Sequence, residues 1–150
     1  MVADVESGWY VSEPVPVPVL NGSPCRFVVD GYDDDPAPAD FHTAIRTFLA
    51  LDRSTLTAAA PAIYEYYRDT MKHVVAAGYD DLYVAIEGPE QVLAHVSLGT
   101  EPTVVRDTDG DEHVYVSLEC ECDWEPEHGL RIAFRDGATV TKVGPYDGAL

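Results

Sequence analysis

The densest run of chemically capable side chains is Glu119 to His128, ECECDWEPEH. Cys120 and Cys122 stand two apart, so on a strand both point to one face while Glu119, Glu121 and Asp123 point to the other. With Cys25 or His128 the two thiols could hold zinc, but structural zinc draws on cysteine pairs spaced by about two to four residues, and CxC lacks that spacing. A cysteine nucleophile needs a neighbouring base and an orienting group. His95, His113 and His128 are available, and no motif couples any of them to a thiol. Glu125 and Glu127 flank Pro126 beside His128, a grouping able to exchange protons. It opens a reading as a small-molecule binder or hydrolytic enzyme using the Glu127–His128 turn. Asp107, Asp109 and Asp111 surround Gly110, but a calcium loop needs glycine at its sixth position and glutamate at its twelfth, where this chain has Leu118. There is no glycine-rich phosphate loop, serine elbow or HExxH. No catalytic residue, metal ligand set or cofactor is assigned on these grounds.

The elements that must position these groups follow from periodicity. Val15, Val17 and Val19 alternate with Pro14, Pro16 and Pro18, which predicts an edge strand or extended segment, since proline donates no ladder bond. Asn21-Gly22 marks a hairpin turn into a second strand over Cys25 to Tyr32. Asp40 is placed as the N-cap of a helix whose apolar stripe is Phe41, Ala44, Ile45, Phe48 and Leu49. A second helix lies within Ser54 to Ala77, with a stripe of Ile63, Tyr64, Tyr67, Met71, Val74 and Val75. Pro61 is read in or near its first turn, and Gly78 as the residue that ends it. Leu82 to Ile86 reads as a strand, and Glu90 to Leu98 as a strand or a short helix. Strands over Thr103 to Asp107, His113 to Cys122, Gly129 to Arg135 and Thr139 to Val143 are joined by the turns Asp109-Gly110 and Asp136-Gly137. The expected fold is α+β: one domain over residues 1–150, an antiparallel sheet with a C-terminal meander packed against two amphipathic helices.

Nine Lys and Arg stand against 27 Asp and Glu, a formal charge of −18. That field repels nucleic acid and anionic membranes and favours a basic protein partner. Three cysteines do not make a disulfide framework, and MVADVESGWY has no leader character, so a cytoplasmic location is expected. The acidic loop Asp33, Asp34, Asp35 and the helical Glu65, Tyr66 and Asp69 are the candidate contacts, with Tyr66 read as an exposed anchor off the apolar stripe. The bland counterpart is a solvated loop and helix face.

CDWEPEHGLRIAFRDG followed by TKVGPYDG resembles the end of a family of uncharacterised bacterial domains with a Trp-Glu-x-Glu-His-Gly signature ahead of a terminal hairpin. The matching residues are Trp124, Glu125, Glu127, His128, Gly129, Gly144, Tyr146, Asp147 and Gly148, and the resemblance covers residues 41–150. Some small domains of that kind accompany secreted toxins as suspected immunity proteins, so the resemblance implies an immunity or inhibitor protein that neutralises a basic toxin domain. The signature itself reads as scaffold or as site: Trp124 as a core plug, Gly129 as a positive-φ residue, Glu127 and His128 as ties across the turn, Asp147-Gly148 as a turn packing back. A structural or regulatory interaction module, dimerising through the proline-rich edge strand, is the third reading.

Overall fold

The computed structural model describes residues 2–4 and 9–146. Its strands are β1 (Val2–Asp4), β2 (Trp9–Val11), β3 (Val15–Val17), β4 (Ser23–Cys25), β5 (Val28–Asp30), β6 (Val96–Ser97), β7 (Thr103–Arg106), β8 (Val114–Cys122), β9 (Leu130–Arg135) and β10 (Thr139–Gly144). The helices are α1 (Ala39–Leu49), α2 (Arg53–Ala76) and the single turn α3 (Pro89–Val92). The sheet runs β1-β2-β5-β7-β8-β9-β10, and β6 pairs with the far end of β8. The C-terminal meander is present as expected, with β7, β8, β9 and β10 successively antiparallel. The join of β5 to β7 is parallel. A parallel join requires a crossover, and the helices lie between these strands.

The proline-rich segment differs from the expectation. β3 is not an edge of the main sheet but pairs with β4 in a separate two-stranded ribbon. Val17, Val19 and Leu20 are buried, because the chain turns into a 3-10 segment over Pro18–Leu20 and presses these side chains into the core. Asn21 (φ 62°) and Gly22 (φ 72°) then make the predicted turn.

Helix α1 starts at Ala39, and Asp40 is in its first turn instead of capping it. The Asp40 carboxylate is taken by Arg106 Nη2 at 2.8 Å, which removes it from the helix terminus. Asp52 caps α2 by accepting from the Ser54 amide at 2.9 Å. The early cap places Pro61 inside the helix, beyond its first turn. Gly78 (φ 78°) closes α2: its amide donates to the Val75 carbonyl at 3.1 Å, and the Tyr79 amide donates to Val74 at 3.0 Å. This pairing satisfies two terminal carbonyls in a Schellman motif. Ile63, Tyr67 and Met71 of the expected stripe are buried, whereas Val75 is 56% exposed.

Residues 83–88 form no strand. Their backbone groups go to α2 side chains: Tyr67 Oη donates to the Val84 carbonyl and accepts from the Ile86 amide at 3.0 Å, and Tyr64 Oη donates to the Ile86 carbonyl at 3.2 Å. A segment satisfied in this way needs no ladder partner. Residues 90–98 resolve into α3, a 3-10 turn over Leu93–His95, and β6.

All four phenylalanines are buried. Phe48 bridges Phe27 and Phe134 edge-on, with ring centroids 5.9 and 5.1 Å apart. Along β8, Val114, Val116, Leu118, Cys120 and Cys122 enter this core with the helices. Tyr115, Ser117 and Glu119 alternate onto the second face, where, among the described residues, no helical side chain joins them in the core cluster. No helix among the described residues is long and apolar enough to cross a membrane.

Candidate functional site

The signature turn is built from the end of β8 and the start of β9. Trp124 is 3% exposed and packs edge-on against Tyr66 and Tyr67 of α2, at 5.9 and 5.7 Å between centroids. Gly129 has φ 60°, and a Cβ there would lie 2.7 Å from the Cys120 carbonyl oxygen, so both conformation and space call for glycine. Its amide donates to the Glu125 carbonyl at 2.9 Å, and its own carbonyl accepts from Tyr66 Oη at 2.7 Å. The side-chain tie across the turn runs from His128 Nδ1 to Glu125 Oε1 at 3.4 Å, not from Glu127, which is exposed. The Tyr146 amide donates to the His128 carbonyl at 2.9 Å, so the chain beyond β10 does return to this turn. Asp147 and Gly148 lie outside the described residues.

Ligand atoms of Glu125, Glu127 and His128 come within 4.8 Å of one another. Two carboxylates and one imidazole are one short of the four ligands of a structural zinc site, which is built from cysteine and histidine. The cysteines do not complete the set. Cys25, Cys120 and Cys122 are buried free thiols, and burial pushes Cys120 and Cys122 up to about 11. A thiol held neutral in this way is a poor nucleophile at neutral pH.

The expected contact residues divide by environment. Asp33 accepts from Tyr10 Oη at 2.8 Å, and Asp34 is exposed. Asp35 is not a solvated loop residue. Its side chain is 4% exposed and accepts Arg106 Nε at 2.7 Å and Nη2 at 2.9 Å. This two-pronged bond holds the Asp35 carboxyl below the usual carboxylate range. Glu65 and Asp69 stand on the outer side of α2, paired to Arg68 at 3.2 Å and Lys72 at 3.9 Å. Tyr66 is not an exposed anchor. Packing against Trp124 half-buries it, its hydroxyl is spent on Gly129, and burial raises its pKa. The loop and the helix acids therefore have different partners, and only Tyr66 meets the signature turn.

The second sheet face carries a group that motif reasoning missed. A cleft of 630 Å³ opens there, with Ser117 and Arg131 in its lining and Asp30, Glu101, Glu119 and Tyr146 around them. That volume falls in the range of ligand sites, roughly 300–1,000 Å³. Glu119 and Arg131 are direct cross-strand partners, Nη2 to Oε1 4.0 Å. The Arg131 guanidinium lies 4.4 Å from the Tyr146 ring centroid, a cation–π distance. Ser117 is 2% exposed, flanked by Thr103 and Ala133, and its Oγ has no hydrogen-bond partner among the described residues. The alternation of β8 and β9 already places Ser117, Glu119 and Arg131 between core residues. Nothing in the sequence brings Asp30 or Glu101 to them.

The model of a family described as Domain of unknown function (DUF6985) matches residues 2–150. No curated protein and no solved structure matches the chain.

Proposed function

The chain belongs to the DUF6985 family of domains of unknown function, and from that premise we propose that it is an acidic binding protein, of the immunity or inhibitor type, that captures a basic toxin domain. The observation that carries this reading is the acid-rimmed cleft on the sheet face opposite the helices. Asp30, Glu101 and Glu119 surround it, against the single guanidinium of Arg131. The −18 charge of the chain adds long-range attraction for a basic partner and speeds encounter in a salt-dependent way. The exposed acids Asp33, Asp34, Glu65 and Asp69 contribute to that field; Asp35 is committed to Arg106. Inhibition would follow from acids occupying a groove built to hold phosphates.

The test is an affinity pull-down of tagged protein from its own host, at low and high salt, read by mass spectrometry. One basic protein held near stoichiometry at both salts is the expected result. Only scattered basic proteins, all lost at high salt, would overturn the reading.

A further inference from the structure

We propose that the cleft on the helix-free face is the seat of one basic side chain of the partner, an arginine guanidinium, with Asp30 and Glu101 as its carboxylate acceptors. This rests on the reading of the protein as a binder of a basic partner and names the point of contact. Four observations converge on it. Asp30 is half-buried at the end of β5, and its carboxylate makes no hydrogen bond or ion pair among the described residues. An entering cation would give that carboxylate a charge-assisted hydrogen bond it does not make within the chain. Glu119 is already beside Arg131, and Arg131 lies against Tyr146, so the built-in cation is engaged from within. Asp30 and Glu101 then remain as uncompensated charge in the lining. The Ser117 hydroxyl, buried in that lining and without a hydrogen-bond partner among the described residues, can both donate and accept.

The lining therefore sets three carboxylates, Asp30, Glu101 and Glu119, against one guanidinium, an excess of negative charge. A guanidinium is the complement: five N–H donors in a planar fork, no acceptor, and a charge fixed at any physiological pH. An ammonium offers three donors from a point and matches two separated carboxylates less well. Tyr146, 46% exposed, stands at the same cleft as an aromatic wall.

The probe is a hexa-arginine peptide, titrated calorimetrically into the intact protein at about 0.15 M salt, where distant surface charges are largely screened. The double variant Asp30→Asn/Glu101→Gln should weaken binding tenfold or more. The charge-matched control Asp81→Asn/Glu87→Gln, on exposed positions outside the cleft lining, should stay within twofold of the parent. Ser117→Ala removes a hydroxyl that makes no hydrogen bond among the described residues, so it should keep the fold and still weaken binding severalfold. Circular dichroism melts of each variant confirm folding. Equal losses in the two double variants would overturn the cleft and leave the broader reading of a basic partner standing. Agmatine binding as tightly as the peptide would assign the cleft to a free small cation and overturn docking of a partner side chain. Hexa-lysine matching hexa-arginine would overturn the guanidinium preference. A specific cleft in a protein that retains no basic protein from its host would overturn the functional reading, not the cleft.

Discussion

Arg106 is the residue on which the acidic N-terminal loop depends. It reaches both Asp35 oxygens, Asp40 at 2.8 Å and the Glu112 carbonyl at 2.6 Å, tying the loop, the start of α1 and the β7–β8 hairpin together. The pair with Asp35 is shielded, with side chains 13% and 4% exposed. Asp35→Asn should cost about 3 kcal/mol in urea unfolding at pH 7, the scale of breaking a buried ion pair. The pH dependence has a definite sign. The folded-state pKa of Asp35 is depressed, so its contribution is complete above the ordinary carboxylate range and is lost as pH falls through the depressed value. The gap between parent and variant should therefore close on acidification, and unfolding midpoints across an acid series check it. The thiols make a second prediction at this scale. With Cys120 and Cys122 pushed up to about 11, roughly one thiol in a thousand is ionised at pH 8. A thiol-disulfide reagent should label the native protein slowly and all three cysteines at once in denaturant; rapid native labelling of Cys120 or Cys122 would contradict their burial.

Two elements carry local conflicts with testable consequences. Pro61 lies inside α2 on its exposed side, where it removes the amide that would bond the Thr57 carbonyl. Pro61→Ala restores that bond and should stabilise the protein by about 1–3 kcal/mol. For a chain of this size each kcal/mol raises the melting midpoint by roughly 2–4 °C. The β9–β10 hairpin shows the opposite case. Gly137 has φ 74°, and a Cβ there would lie 2.0 Å from the Ala44 carbonyl oxygen in α1. Gly137→Ala should cost about 2 kcal/mol or more, because it strains the turn and pushes α1 off the sheet; thermal unfolding measures both variants. These elements also mark how far local pattern reaches. The meander, the Asp136-Gly137 turn and the Gly78 helix end were legible because each depends on residues adjacent in the chain. The strand expected at Leu82 to Ile86 was misread because its hydrogen bonds come from Tyr64 and Tyr67, about twenty residues away. Alternating apolar residues cannot reveal a side chain that satisfies the backbone from another element.

At the scale of the whole molecule, −18 charge is a strain as well as an attraction. Raising salt from about 0.01 to 0.15 M shortens the screening length from roughly 30 to 8 Å. The melting midpoint should rise over that range as self-repulsion fades, while association with a basic partner slows. A midpoint that falls instead would mean that attractive pairs such as Arg106 with Asp35 outweigh the repulsion. Composition and periodicity by themselves determined the net charge, the α+β class, the meander, and the opposite faces to which Cys120 and Cys122, and Glu119 and Glu121, turn. These properties follow from counts and from the fixed pitch of strands and helices. Only the tertiary structure decided that Asp35 is locked to Arg106, that Tyr66 is spent on Gly129, and that Asp30, Glu101 and Glu119 surround one cleft with Ser117 and Arg131. Those juxtapositions depend on which strands lie side by side and in what register. Register is chosen by the burial of the whole core, to which distant residues contribute together.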